Sequence, residues 1–133
     1  MREALFAAVQ PEINGPGGCN EGFLRPDALL VVTMIFDTMD VKSWRSPKKV
    51  YEAVVAAKGG DADAVVMVVV TWPTTNQAQN PDCAFGDVAD PLKDLALLFP
   101  YHVIGDTCAD SYAPYLELAA AKVGEACSKF IPQ

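Results

Sequence analysis

Two long apolar runs constrain the fold of this chain more than any other feature. ALLVVTMIF spans residues 28–36 and AVVMVVVT spans residues 64–71, and neither run contains a charged side chain. Both are rich in β-branched residues and show no alternation of apolar and polar positions. Strands of this kind are typical of parallel sheets whose two faces are covered by helices. We therefore predict two parallel strands that are buried on both faces.

Helical patterns separate these strands. Ser46 and Pro47 indicate a helix start, with the hydroxyl as N-cap and the proline in the first turn. Asp90-Pro91 begins another helix, and Pro114 is tolerable in the first turn of the last helix. The expected elements are a helix over 2–10 that Pro11 ends, a strand over 28–36, a helix from 46 to a stop at 58–60, a strand over 64–71, a helix over 90–98, a strand over 101–105 and a helix from 110 or 111.

This order predicts an α/β fold, a three-layer Rossmann-like parallel sheet of about three strands with helices on both faces. A chain of 133 residues is expected to form one domain. We expect an N-terminal helix and loop over 1–27 and a β-α-β-α-β-α core over 28–133. The last helix should face the sheet with one apolar stripe, since its apolar residues are three and four apart. That stripe comprises Tyr112, Leu116, Ala119, Ala120, Val123, Cys127 and Phe130.

Charge and hydropathy argue against non-specific nucleic-acid binding and against a membrane-spanning helix. The net charge is −7 and the isoelectric point is about 4.5, which argues against binding to nucleic acid through phosphate neutralisation. No apolar run reaches the ~20 residues that a membrane-spanning helix needs. A cation or a basic protein partner fits this charge better.

The four cysteines are widely spaced and form no Cys-x-x-Cys motif, so a compact zinc site is not expected. Four such cysteines suggest two disulfides in an oxidising compartment. Of the three possible pairings, the element order favours one. Cys83 and Cys108 follow strands and should lie at the top of the sheet, whereas Cys19 and Cys127 should lie at the bottom. The expected bridges are therefore Cys83–Cys108 and Cys19–Cys127.

The first residues, MREALFAAVQPEING, are not a signal peptide because they contain no adequate apolar stretch. Two alternatives follow. The first is that the chain is the C-terminal piece of a longer exported precursor, secreted, periplasmic or at the cell surface. Otherwise the cysteines are reduced and the chain is cytoplasmic.

Several segments resemble one family. GFLRPDALLVVTMIFDTMD is similar to the fourth-strand region of von Willebrand factor type A-like domains of bacterial secreted proteins and lipoproteins. VYEAVVAAKGGDADAVVMVVV resembles the helix and strand that follow there, and GDTCADSYAPYLELAAAKVGEACSKFIP resembles the closing segment. The resemblance covers about Gly22 to Pro132 and implies the C-terminal half of such a domain.

The family resemblance implies a metal-ion-dependent adhesion site at the top of the sheet. That site uses an Asp-x-Ser-x-Ser motif, a Thr from a middle loop and an Asp at the end of the fourth strand. Only the last has a counterpart here, Asp37. With Asp40 nearby, Asp37 is the candidate ligand for Mg²⁺ or Ca²⁺, which prefer oxygen ligands; the alternative is a solvated turn. The site is expected to be incomplete in this chain.

Other polar and aromatic residues are weaker candidates for a site. Thr38, Trp72 and Asp106 follow strands and could form a binding surface, since ligands of open α/β sheets bind beyond the carboxyl ends of the strands. Trp44 is expected to pack rather than to bind. The only histidine, His102, falls within a predicted strand, which favours a structural role.

The leading functional hypothesis is a non-enzymatic binding or adhesion module. Its recognition surface would be the loops 37–45, 72–87 and 105–110. The alternative is a small α/β enzyme or phosphoacceptor domain that uses Asp37. The strand over 28–36 would have one open edge in a half-domain, so we also expect a homodimer through that edge.

Overall fold

A parallel three-stranded sheet forms the centre of the protein. The computed structural model describes residues 1–38, 40–73 and 89–132. The strands are β1 (Leu30–Ile35), β2 (Val65–Thr71) and β3 (Tyr101–Asp106), and they lie in the order β1-β2-β3. The described helices are α1 (Arg2–Ala8), α2 (Pro11–Asn14), α3 (Pro47–Ala56), α4 (Pro91–Ala96) and α5 (Ala113–Lys129), with one 3₁₀ turn at Ala62–Ala64. The predicted α/β three-layer fold is confirmed.

Strand β2 is buried along its whole length. Val65, Met67 and Val69 point into one apolar cluster with α3 and α4. Val66 and Val68 point into a second cluster, which contains residues of α5. Because successive side chains of a strand point to opposite faces, a run of apolar residues without alternation needs helices on both sides, and β2 has them.

The direction of the connections explains how the helices are divided between the two faces. The chain moves from β1 to β2 to β3 in one direction across the sheet. Right-handed crossovers in one direction put their helices on the same face, so α3 and α4 share a face. Helix α5 contacts β2 and β3 from the other side.

Local sequence signals set the helix starts as predicted. The Ser46 hydroxyl accepts a hydrogen bond from the Lys49 amide at 3.3 Å. Asp90 caps α4 in the same way, with a carboxylate oxygen 2.9 Å from the Leu92 amide. The role predicted for Pro11 was incomplete. Helix α1 ends before it, but Pro11 also begins α2, because its fixed φ suits a first helical position.

The prediction that β1 is buried on both faces is wrong. Leu30, Val32 and Met34 point toward the cluster of α3 and α4. Val31 and Ile35 point to the opposite face and are 45% and 51% exposed. In the sheet register, Val31 aligns with Val66 of β2, yet α5 covers Val66 and leaves Val31 open. One helix is too narrow to cover three strands, since a helix is about 10 Å across and strands are about 4.8 Å apart.

The stripe predicted for α5 is also partly wrong. The residues of α5 that pack against the sheet are Tyr115, Ala119, Val123 and Ala126. Leu116, Ala120 and Cys127 are exposed. At 100° per residue, they form a second apolar flank next to the buried stripe. The apolar surface of α5 is therefore wider than the stripe that the sheet covers.

The predicted bridge between Cys19 and Cys127 is not present, because both thiols are free and exposed. Cys19 lies in a loop that is held to α2 by a hydrogen bond from the Asn20 amide to the Ile13 carbonyl, 2.9 Å. Cys127 lies on α5, across the sheet from α1 and α3. Cys108 is disulfide-bonded, while Cys83 lies outside the described residues.

A close contact between β3 and α5 requires a glycine. The Tyr115 ring lies over Gly105, and a Cβ at Gly105 would be 2.8 Å from two ring carbons and 3.1 Å from a Val70 methyl. Such distances are shorter than van der Waals contact, so a larger side chain must displace the ring. Gly124 is on the exposed side of α5 and has open space where its Cβ would be.

We therefore expect Gly105→Ala to lower the free energy of unfolding by about 1–3 kcal/mol, because overpacking forces Tyr115 out of position. Gly124→Ala is the matched control and should raise it by about 0.5–1 kcal/mol, since alanine is the better helix former. Urea denaturation followed by circular dichroism measures both. Equal effects of the two substitutions would contradict the packing argument.

Candidate functional site

The polar ends of the three strands meet at one edge of the sheet, which we call the top edge. Asp37 and Thr38 follow β1 and are exposed, Trp72 follows β2 and is half-buried, and Asp106 ends β3 and is buried. The predicted recognition loops at 37–45 and 105–110 lie at this edge. Of the third predicted loop, 72–87, residues 74–87 lie outside the described residues.

A buried ion pair holds the loop after β1 to the N-terminal helix. The Asp40 carboxylate accepts hydrogen bonds from the Arg2 side chain (Nε, 3.0 Å), from the Arg2 amide (2.9 Å) and from the Ser43 hydroxyl (2.7 Å). The Met1 ammonium is 2.8 Å from the same carboxylate. Arg2 also donates to the carbonyls of Asp40, Ser43 and Arg45 at 2.6–3.1 Å. The loop is therefore fixed by hydrogen bonds at both its acidic and its carbonyl groups.

These contacts determine the ionisation of Asp40. Burial alone would raise the pKa of its carboxyl. The hydrogen bonds from the N-terminal ammonium, from Arg2 and from Ser43 outweigh burial and hold the pKa of Asp40 well below its usual range. Asp40 is thus a charged anchor inside the fold.

The two predicted metal ligands have different surroundings. Asp37 is exposed, whereas both carboxylate oxygens of Asp40 are already occupied by Arg2, Ser43 and Met1. A cation would have to displace the Arg2 guanidinium to reach Asp40, so we do not assign Asp40 to a metal. In the parts of the chain that the structure describes, no group of three or more His, Cys, Asp or Glu side chains could hold a metal ion. Asp37 remains a prediction.

The loop exposes an aromatic residue that was expected to be packed. Trp44 is 79% exposed, which corrects that expectation. The Arg45 guanidinium lies between two rings, 3.8 Å from the centre of Phe6 and 4.1 Å from the centre of Trp44. Arg45 is also paired with Glu3 of α1, so cation–π contacts and an ion pair hold its position. A shallow groove of about 480 Å³ lies here, lined by Phe6, Trp44, Arg45, Ser46 and Lys49.

Asp106 is buried and has a structural role, so it does not form part of an exposed binding surface. One of its carboxylate oxygens accepts a hydrogen bond from the Cys108 amide at 2.6 Å, which closes the turn after β3. The other oxygen is buried and has no hydrogen-bond partner among the described residues. At the neighbouring strand, the Thr71 hydroxyl donates to Asp90 at 2.8 Å. The top ends of β2 and β3 are therefore tied to the turns and helices that follow them.

The only histidine has a structural contact, as favoured from the sequence. His102 Nδ1 is 2.7 Å from the Phe99 carbonyl oxygen. Since a carbonyl only accepts, this nitrogen carries the proton. The hydrogen bond ties the start of β3 to the end of the preceding turn.

The residue that sequence reasoning missed is Arg2. It fell within the predicted helix over 2–10 and was given no role, yet its side chain is buried and makes the ion pair described above. An arginine beside Leu5 and Phe6 at the start of the chain gives no signal of a partner 38 residues away. Only the packing of α1 on α3 brings the two together.

Comparison with known protein families, with curated proteins and with solved structures finds no match for this chain. Within the described ranges, none of the helices is long and apolar enough to cross a membrane. The likeness to von Willebrand factor type A-like domains therefore remains a prediction from the sequence.

The Asp40 anchor makes a prediction about acid stability. The pKa of Asp40 is lower in the folded state than the ~3.9 of an unfolded aspartate. Its contribution to stability is therefore complete above about pH 5 and is lost as the pH falls below 4 toward the folded pKa. Asp40→Asn should lower the free energy of unfolding at pH 7 by about 3 kcal/mol, because Arg2 would be left buried without a counter-charge.

The matched control is Asp37→Asn in the same loop, where the side chain is exposed. Urea titrations at pH 7, 5 and 3 should give a steep acid loss for the wild type and for Asp37→Asn, and a shallower one for Asp40→Asn. If the free energy of unfolding fell equally with pH in all three proteins, Asp40 would not be the anchor of the loop.

Proposed function

We propose that this chain is a non-enzymatic binding module, related to the C-terminal half of a von Willebrand factor type A-like domain, that works as a homodimer in an exported protein. The observation that carries the proposal is β1: among the described residues, no strand pairs with its outer edge and no helix covers one of its faces. An edge strand with unpaired backbone groups is a template for pairing with another chain. An apolar face without a helix has the same need for a partner.

The sheet geometry identifies the backbone groups that are available. The Phe36 amide donates to the Val70 carbonyl of β2 at 2.9 Å. Because backbone groups alternate in direction along a parallel strand, those of Val31, Thr33 and Ile35 point to the open edge. A groove of about 400 Å³ runs beside the start of the same strand. Strand β3 is also at an edge of the sheet, but helices contact both of its faces, α4 on one and α5 on the other.

The recognition surface would be the top edge, with Trp44 as its anchor. Tryptophan is enriched among residues that dominate the free energy of protein binding. A rigid loop loses little conformational entropy when it binds, and Arg2 and Asp40 make this loop rigid. Together with Val41, which is also exposed, Trp44 gives the loop an apolar tip that the fold itself does not use.

The disulfide at Cys108 supports an exported location, secreted, periplasmic or at the cell surface, since such bonds persist in oxidising compartments. Metal binding at the top edge would depend on Asp37. A single exposed carboxylate provides fewer oxygen ligands than the six or more that Mg²⁺ or Ca²⁺ takes. The module is therefore proposed to recognise its ligand through side chains, with an incomplete metal site.

A role for Trp44 in recognition predicts that the fold does not depend on it. Trp44→Ala should change the free energy of unfolding by less than about 1 kcal/mol, the value of an exposed cation–π contact. Tyr51→Ala is the aromatic control. Its ring packs edge-on against Phe99 with 4.9 Å between centroids, and its loss should cost about 3 kcal/mol. A similar loss for Trp44→Ala in thermal or urea unfolding would make Trp44 a packing residue and remove the anchor.

The homodimer predicts a specific effect of proline at the open edge. Thr33→Pro removes an outward amide hydrogen and leaves the bonds to β2 intact, so it should block edge pairing and give a monomer. Thr33→Ala keeps the amide and should remain dimeric. Multi-angle light scattering over a range of protein concentrations measures both. A wild-type chain that stays monomeric at high concentration would contradict the homodimer.

A further inference from the structure

Among the described residues, no helix covers one face of β1, and this face continues onto α5. Val31, Thr33 and Ile35 form its floor, and Leu116, Ala120 and Cys127 form its wall. We call these six residues the α5-side patch. All six are exposed, and none of them carries a charge, although the chain has 27 charged side chains, 10 basic and 17 acidic. An apolar surface of this kind marks an interaction site on a soluble protein.

Two contacts at the C-terminal end of α5 show on which side the wall lies. The Lys129 ammonium lies 5.5 Å from the centre of the Tyr101 ring of β3. Leu116 and Cys127 lie on the opposite side of the buried stripe from Lys129, since successive helical residues are 100° apart. At the end of α5, the Phe130 ring is 5.9 Å from the Lys58 ammonium. Lys58 donates to the Ala28 carbonyl just before β1 at 2.6 Å. The wall therefore stands beside β1.

We propose that the α5-side patch is the apolar centre of the homodimer interface, with the patch of one copy packed against the patch of a second copy. The proposal rests on the homodimer proposed above and names its main contact surface. Backbone pairing of two six-residue strands buries little side-chain area, whereas stable interfaces bury about 1,200–2,000 Å² in total. The patch lies directly next to the open edge and supplies the missing apolar contact.

The chemistry of the patch favours a second copy over other occupants. A membrane surface or an acidic partner would call for Lys or Arg in the contact, and a basic partner would call for Asp or Glu. The patch has neither. In each copy, the patch combines a β1 face suited to packing against a helix with an α5 flank suited to packing against a strand. The strand face of one copy can therefore pack against the helix flank of the other. A two-fold axis makes such a contact reciprocal.

This contact requires the two sheets to tilt toward each other. Helix α5 contacts both β2 and β3, so in a flat six-stranded dimer the two α5 axes would be about four strand spacings apart, ~19 Å. Helices in contact are about 8–10 Å apart. Closing that gap brings Leu116 of each copy over the two β1 strands, and the natural twist of a sheet allows such a bend at the joint.

Two leucines of α5 provide a matched pair for the test. Leu116 and Leu118 are 52% and 49% exposed, but Leu116 is in the patch and Leu118 is on the side of Lys129. Sedimentation velocity of the full chain should show that Leu116→Glu raises the dimer dissociation constant about tenfold or more, because a carboxylate would be buried without a partner. Leu118→Glu should leave it within about twofold of the wild type, as expected for an exposed site outside the interface. Circular dichroism confirms that both variants are folded.

The two free cysteines give an independent readout on the unmutated chain. Both thiols are exposed in one copy, but only Cys127 is in the patch. Alkylation by iodoacetamide, followed by mass spectrometry, should slow at Cys127 as the protein concentration rises through the dissociation constant. The rate at Cys19 should stay constant. Equal rates at the two sites in the dimer would overturn the patch.

The outcomes separate the patch from the homodimer itself. A dimer that Thr33→Pro dissociates but that neither leucine variant weakens is joined by the edge alone, which overturns the patch and leaves the homodimer. Equal weakening by Leu116→Glu and Leu118→Glu overturns the patch as well, because it shows a general effect of charge. A monomeric wild type overturns both. Selective weakening by Leu116→Glu with protection of Cys127 supports the patch.

Discussion

The burial of β2 on both faces is the constraint on which the rest of the structure depends. Its seven residues have almost no exposed surface, and the free energy gained from removing so many valine side chains from water is available only if helices cover both sides. Helices α3 and α4 meet that need on one face and α5 meets it on the other. The positions of the described loops at the top edge follow from this arrangement, because the strands end together at that edge.

The same constraint explains why β1 is different. Its sequence is as apolar as that of β2, and its register aligns it with β2 residue by residue. The helix on the α5 side lies over β2 and β3, and one helix covers about two strands. Val31 and Ile35 therefore remain exposed for a geometric reason, although their side chains are as suited to burial as those of Val66 and Val70. An apolar strand that is open on an edge and on a face favours assembly with another chain.

The loop after β1 shows how far sequence reasoning reached at the site. Asp37 and Asp40 were both visible as acids after a strand, and both were assigned to the same role. They differ because Asp40 is beside Arg2, which lies 38 positions earlier in the chain and reaches it only when α1 packs on α3. Trp44 was expected to be buried, as tryptophan usually is. Trp44 is exposed because other contacts hold the loop, namely the ion pairs Arg2–Asp40 and Glu3–Arg45. Arg45 stacks on one face of the Trp44 ring and leaves the outer face open.

The sequence by itself determined the α/β class, the parallel sheet and the helix starts at Ser46 and Asp90. These features depend on local patterns, namely uninterrupted β-branched runs, capping side chains and prolines in first turns, which act within a few residues. Only the tertiary structure decided that β1 has a bare face, that Asp40 is an anchor, that Cys19 and Cys127 are free, and that α5 buries Tyr115 instead of Leu116. Each of these depends on which segments meet after folding. That is set by the number of helices available to cover the sheet and by the width of each, which no local pattern records.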